Sequence, residues 1–257
     1  MPIFKAGGQL VLYAHVPKCG GSAVSWYLNQ RFGQVAFNDS RHTSQPPKAR
    51  WSRTSPQHID RDSLGRLFPD GFFDAMFTIV RHPVARLVSA YHFQLEVESS
   101  LPQSTGFSEW LADLEERMAE DPFVFDNHVR PMTQIVPEGA HVFYMEHGLD
   151  ALVPWFDRLT GGKDGPRAVP RINEQGAYTG KGKSLPKATP TDADLELITR
   201  LYGEDFARFG YRIGEKAPDC PPPTLTAQQI AERDAMLRDF NSPIGRIRRK
   251  LSTRLGS

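Results

Sequence analysis

The chain has 257 residues, 39% of them hydrophobic and 24% charged, and a formal net charge of +1. That length permits one sizeable α/β domain or at most two small ones, and the near-zero charge supplies no global field that would draw the protein to nucleic acid, so any anion must be recognised locally. Two cysteines, Cys19 and Cys220, are too few for a disulfide scaffold and fit a reducing compartment.

Leu10-Val-Leu-Tyr-Ala-His-Val16 reads as a buried strand. It is too short for a signal-peptide core with its cleavage site or for a bilayer span, and no other stretch approaches about 20 apolar residues, so the chain reads as cytoplasmic. The turn-forming Pro17-Lys-Cys-Gly-Gly-Ser22 leads into a helix over Ala23 to Phe32. Residues 39–58 are polar, contain proline, lack a clear period and read as a long loop. A short helix over Asp60 to Phe68 and a second strand over Phe72 to Val80 follow. Arg81-His-Pro83 then opens a helix to about Glu96, with proline in the first turn, where a missing N–H costs nothing. Phe107, Trp110, Leu111, Leu114 and Met118 mark one face of an amphipathic helix. His141 to Met145 is a third strand, and Leu149 to Leu159 a helix. Residues 161–190, rich in Gly, Lys and Pro, form a loop region. Thr191 with Asp194 is a capping-box pattern for a helix to about Tyr202. Strands feeding helices imply an α/β fold around a parallel sheet. Pro-rich residues 215–225 read as a linker, separating a main domain, 1–214, from a helical basic extension, 226–257.

Two junctions carry chemistry. Between Pro17 and Ala23 a strand ends, two glycines let the backbone approach a ligand, and a helix begins. Unpaired N–H groups and the positive end of the helix dipole make such a junction an anion site, to which Lys18 adds a charge and Ser22 a hydroxyl. This is not a Walker A loop, because the lysine precedes both glycines and no Mg²⁺-binding Ser or Thr follows it. The plain alternative is a glycine-rich βα turn with no ligand. The second junction, Arg81 to Tyr91, puts an arginine at the C-terminal end of a strand, where open α/β sheets bind ligands, and Ser89 on the following helix. A surface ion pair is the plain alternative for Arg81; Arg86 reads as part of a solvated helix face.

Together these elements resemble the PAPS-dependent sulfotransferases (PAPS is 3′-phosphoadenosine 5′-phosphosulfate), specifically the carbohydrate-type branch that includes heparan and chondroitin sulfotransferases. His15-Val-Pro-Lys-Cys-Gly-Gly-Ser22 is similar to that family's 5′-phosphosulfate loop, and Arg81-His-Pro-Val-Ala-Arg-Leu-Val-Ser-Ala-Tyr91 to its 3′-phosphate element. Asp126 to Gln134 resembles an acceptor-side segment, and Tyr202 to Tyr211 the helix closing the domain. Cys19, Ser22 and His82 depart from the commoner residues, and His82, standing where an acidic residue is frequent, alters the charge beside Arg81. The resemblance implies a three-layer, P-loop NTPase-like sulfotransferase fold with 1–214 as its catalytic domain. It implies that Pro17, Lys18, Cys19, Gly20, Gly21, Ser22 and Ala23 hold the phosphosulfate, that Arg81 and Ser89 hold the 3′-phosphate, and that Tyr178, Lys181 and Lys183, on a late loop, are candidates to cover the nucleotide, with a mobile solvent loop as the plain alternative. PAPS would be the donor, a carbohydrate hydroxyl the acceptor, and no metal would be required.

Of eight histidines, His58 lies between the two phosphate elements, where the resemblance places a catalytic base; another structural role is the plain alternative. His92 and Glu96 are second choices, His15 orders the loop, and His128 and Arg130 face the acceptor or form a polar pair. No metal set appears: there is no His-Glu-x-x-His, no paired CxxC and no acidic Ca²⁺ loop. From Phe240 onward no acidic residue occurs, and Ile244, Ile247, Leu251 and Leu255 recur among five basic residues. That tail fits an anionic membrane surface, an acidic polymer, or packing on its own domain. A PAPS- or PAP-binding protein without transfer activity, and more remotely a P-loop nucleotide kinase, are the competing functions. The sequence carries nothing about oligomeric state.

Overall fold

A computed structural model of the protein describes residues 1–39, 41–172, 186–245 and 247. Tyr178, Lys181 and Lys183, and the tail beyond Ile247, lie outside the described residues. The chain opens with a hairpin, Ile3–Ala6 (β1) and Gln9–Ala14 (β2), closed by Gly7 and Gly8 at φ 57° and 88°. Two left-handed residues match the twist of tightly turned antiparallel strands, and glycine adopts them without a Cβ clash. Sequence patterning places no strand before Leu10, so β1 is an addition; four residues are too few to show alternation.

Next come Gly21–Phe32 (α1), two 3₁₀ turns at Pro47–Ala49 and Pro56–His58 in the region expected as plain loop, and Arg61–Leu67 (α2), capped by Asp60. Ala75–Val80 (β3) leads into Pro83–Glu96 (α3). The single amphipathic helix expected around 107–118 is two, Phe107–Ala112 (α4) and Leu114–Glu120 (α5), divided at Asp113. His141–Tyr144 (β4), Leu152–Thr160 (α6), Asp192–Leu201 (α7), Gly203–Phe209 (α8) and Ala227–Asn241 (α9) complete the order. The capping box of α7 forms as its spacing requires, with Thr191 N–H donating to Asp194 Oδ2 at 2.8 Å and Asp194 N–H to Thr191 Oγ1 at 3.2 Å.

The strands form one sheet in the order β1-β2-β3-β4. β1 and β2 are antiparallel, while β2–β3 and β3–β4 are parallel. The sheet is thus mixed, parallel everywhere except at its β1 edge. Side chains alternate between two covered faces, as the strand period of two demands. Val11, Tyr13, Phe77 and Ile79 enter the main core with residues of α1, α3 and α6, whereas Leu12 meets Ile3 and Leu64 of α2 in a smaller cluster. Tyr13 and Phe77, paired in register, stack with ring centroids 4.8 Å apart. Among the described residues, no helix is long and apolar enough to cross a membrane.

α9 packs back on this body. Arg167 Nε donates to Glu232 Oε2 at 3.0 Å, and Trp26 of α1 meets Phe240 edge-on at 5.3 Å.

Candidate active site

The parallel strands β2, β3 and β4 all end at one rim, where loops carry Pro17–Gly20, Arg81–His82 and Met145–Glu146. A cleft of about 2000 Å³ opens there, the position that open α/β sheets use for ligands. Pro17, Lys18, Gly20, Gly21, Ser22, Ala23, Arg81, Ser89, His58 and His128 all line it. Residues of four separate stretches of sequence, around 17–23, 58, 81–89 and 128, therefore converge on a single concavity.

The loop is built for close approach. Gly20 takes φ 81° as the N-cap of α1, and no side chain caps that helix; the Gly21 and Ser22 amides have no partner among the described residues, whereas the Ala23 N–H donates to the Gly20 carbonyl at 3.0 Å. Lys18 itself is left-handed, at φ 68°, and its ammonium sits 3.7 Å from the ring centroid of Phe93 on α3. Arg81 Nη1 donates to the Lys18 carbonyl at 3.2 Å. Burial, and then the facing Arg81 charge, brings Lys18 down to about 8. On α3, Ala85, Ser89 and Phe93, with the C-cap residue Val97, present one cleft-facing stripe at four-residue spacing.

Gly21 is demanded by space rather than by φ, since a Cβ there would meet His15 Nε2 at 1.9 Å. Gly21→Ala should therefore destabilise the protein by roughly 1–3 kcal/mol, as overpacking does, and displace the His15 ring. Urea unfolding measures this, and an unchanged midpoint would show that the loop has slack.

Around His58 the chain closes a tight polar knot. Phe125, Asp126 and Asn127 are consecutively left-handed, at φ 54°, 54° and 62°. Such backbone is costly for Phe above all and persists where surroundings fix it. Here it turns successive groups onto His58: Asp126 Oδ2 accepts from His58 Nδ1 at 2.7 Å, and Asn127 Nδ2 donates to the His58 carbonyl at 2.7 Å. Ser55 completes the knot, its N–H and hydroxyl donating to the two Asp126 oxygens at 2.6 Å each. Burial alone would raise the Asp126 carboxyl, but the hydrogen bond and charge of His58, with His128 and Ser55, hold it well below the usual carboxylate range. An ionised Asp126 fixes the His58 proton on Nδ1. Among the described residues Nε2 then has no hydrogen-bond partner, and its lone pair is available as a base.

His15 and His128 pack beside this ring, at 4.9 and 5.0 Å between centroids. Burial, and then the neighbouring His58, pushes both well below the usual imidazole range, so they stay neutral. Gln94 Nε2 donates to His128 Nδ1 at 3.1 Å, leaving the His128 proton on Nε2 as a donor. His58, Asp126 and His128 also bring ligating atoms within 4.8 Å of one another, close enough for a divalent cation. This cluster departs from the expectation of no metal set; no local motif announces it, because His58 lies 68 positions from Asp126.

A family model described as "Sulfotransferase family" matches residues 2–212. The chain belongs to the sulfotransferase family. No curated protein and no solved structure matches it at the significance required. The match covers every element just described except α9, and it makes the protein a transferase of sulfuryl groups.

Not every residue singled out in this sulfotransferase's sequence reaches the cleft. The Cys19 thiol is fully buried in the core, and burial raises it to about 12, so it lies inert behind the loop. Arg130 is spent elsewhere: its guanidinium donates to the Pro122 carbonyl at 3.0 Å and lies 3.9 Å from Asp60. His92 is occupied at both nitrogens, by Glu96 at 2.8 Å and by the Ala188 N–H at 3.0 Å, which removes this pair as a base. Arg86 is not solvated. It is 1% exposed and donates to the carbonyls of Pro17 at 3.1 Å and His128 at 3.1 Å, tying the phosphate-type loop to the histidine knot. Acidic charge near Arg81 arrives from another element, Glu146, which accepts from the His82 N–H at 2.8 Å. Ser55 and Glu98, the latter a cleft carboxyl raised by burial and by Asp126, are site residues that motif reading passes over, while Asp126 heads the expected acceptor-side segment without being marked there as the partner of His58.

Proposed function

We propose that the protein transfers the sulfuryl group of PAPS to a hydroxyl of a carbohydrate acceptor, with His58 as general base. The observation that carries this reading is one cleft holding both a cation pair, Lys18 and Arg81, with no salt bridge to either among the described residues, and an Asp126-oriented histidine with a free Nε2. The α1 amides and Lys18 receive the 5′-phosphosulfate, while Arg81 and Ser89 receive the 3′-phosphate. Acceptor oxygen attacks sulfur in line as the bond from sulfur to the 5′-phosphate oxygen breaks. His58 Nε2 takes the acceptor proton, and Lys18 with the loop amides stabilises the charge left on the departing phosphate.

The acceptor end is lined by Asp39, Thr43, Gln57 and Glu98. Hydroxyl-rich ligands satisfy such groups, whereas a polyanion would be repelled by the two carboxylates. An uncharged sugar therefore fits better than an already sulfated polymer. A binding protein without transfer activity has no use for an oriented base in the same cleft. Residues 1–214 act as the catalytic unit in this reading.

Adenosine 3′,5′-bisphosphate (PAP) should raise the melting temperature by several degrees at saturation, while ATP with Mg²⁺ should do little. With PAPS and a panel of sugars, mass spectrometry should show an added sulfate. Stabilisation by ATP–Mg²⁺ in preference to PAP would overturn the donor assignment.

A further inference from the structure

The family match ends at residue 212, yet the cleft does not. α9 supplies Arg233, Leu237, Phe240 and Asn241 to its lining. These positions follow the i, i+4, i+7, i+8 spacing of a single helical stripe, so they face the cleft together. Contacts on either side anchor the helix: Glu232 to Arg167 at 3.0 Å, Arg233 Nε within 4.0 Å of Asp150, and Phe240 against Trp26 of α1.

The place of this wall is informative. Asp150 directly follows Leu149, whose side chain, with that of Met145, packs against Gly20 of the loop. α9 thus stands on the β4 side of the loop, beside the start of α1. His58 is held on the other side, by Asp126 and Ser55. A donor whose phosphosulfate lies on the α1 amides, with sulfur toward His58, has its nucleoside end left over. The α9 stripe offers that end two apolar side chains and a terminal amide. A purine has apolar faces and a hydrogen-bonding edge, and these groups complement both.

We propose that α9 forms the base-recognising wall of the donor site, with Leu237 against the purine face and Asn241 reading its edge. The proposal rests on the donor reading above. It makes the segment beyond the family match part of the binding machinery rather than an appendage.

The test uses the full chain and titration calorimetry with PAP and with guanosine 3′,5′-bisphosphate. Leu237→Asp should weaken PAP binding by about tenfold or more, the loss of one buried apolar contact and the gain of a charge near phosphate. Asn241→Ala should narrow the preference for PAP over the guanosine analogue, a change that a merely structural residue would not produce. Ala235→Glu, on the exposed opposite face of α9, should bind like the unaltered protein. The melting temperature without ligand should stay unchanged in all three. Unaltered PAP affinity in Leu237→Asp, together with unaltered base preference in Asn241→Ala, would overturn the role of α9 while leaving the donor reading intact. Failure of the unaltered protein to bind PAP would instead remove the donor reading itself.

Discussion

Lys18→Ala lowers kcat with PAPS by about 10²–10³, the usual consequence of removing one fixed charge stabiliser from a reacting centre. The loss should come without unfolding. Alanine bears the same left-handed penalty at φ 68° as lysine does, and no ion pair depends on Lys18 among the described residues. What disappears is the ammonium over Phe93 that faces the cleft with Arg81. Near-normal turnover in this variant would reject the assigned role.

Its titration gives a second check. Burial, and then Arg81, lowers Lys18 from its ordinary 10.5 to about 8, so in the free enzyme the charged form is lost as pH rises through about 8. kcat/KM should fall over that interval, while kcat should hold to higher pH, because bound phosphate pushes the ammonium's proton affinity back up. The stability contribution has the opposite sign. A lysine whose folded value lies below its unfolded one binds fewer protons when folded, so its contribution to stability grows from about 8 toward 10.5. Activity lost just above pH 8 is then deprotonation and not denaturation. Circular dichroism across the same range separates the two.

How much of this was legible in the sequence depended on whether a contact leaves a local trace. The two strand–loop–helix units are nearly continuous apolar runs ending in glycine or proline, and they fold where patterning puts them. β1 had a signal, Gly7-Gly8 between short apolar stretches, but four residues sit below what alternation can register. Arg86 was misread because its partners are the backbone carbonyls of Pro17 and His128. A buried arginine paired with a carboxylate can be inferred from charge; one paired with carbonyl oxygens cannot, since every residue has one. Asp126 was hidden for a different reason. Its reach to His58 depends on three left-handed residues in succession, and only Asp126 and Asn127 are types that favour that conformation; Phe125 conceals it. His58 stood out by its place between two motifs. The carboxylate that gives it a function came from 68 positions away.

That carboxylate gives the sharper test of the base. His58→Ala deletes the proton acceptor but also strands a buried carboxylate, so part of its effect would be structural. Asp126→Asn keeps the shape of the knot and changes what His58 can do. An amide placed to satisfy Ser55 through its oxygen presents its NH₂ to His58 Nδ1, which must then accept, and the ring proton moves to Nε2. The nitrogen facing the acceptor becomes a donor and can no longer take a proton. Turnover should fall by about 10²–10⁴, the range that general base catalysis supplies, while PAP binding, which the proposed function assigns to Lys18, Arg81 and Ser89, should stay within about threefold. In pre-steady-state experiments the deficit should appear in the chemical step and not in donor binding. If Asp126→Asn and His58→Ala both turn over at the unaltered rate, the proton leaves by another route. Glu98, a cleft carboxyl that burial raises, is then the group to replace next.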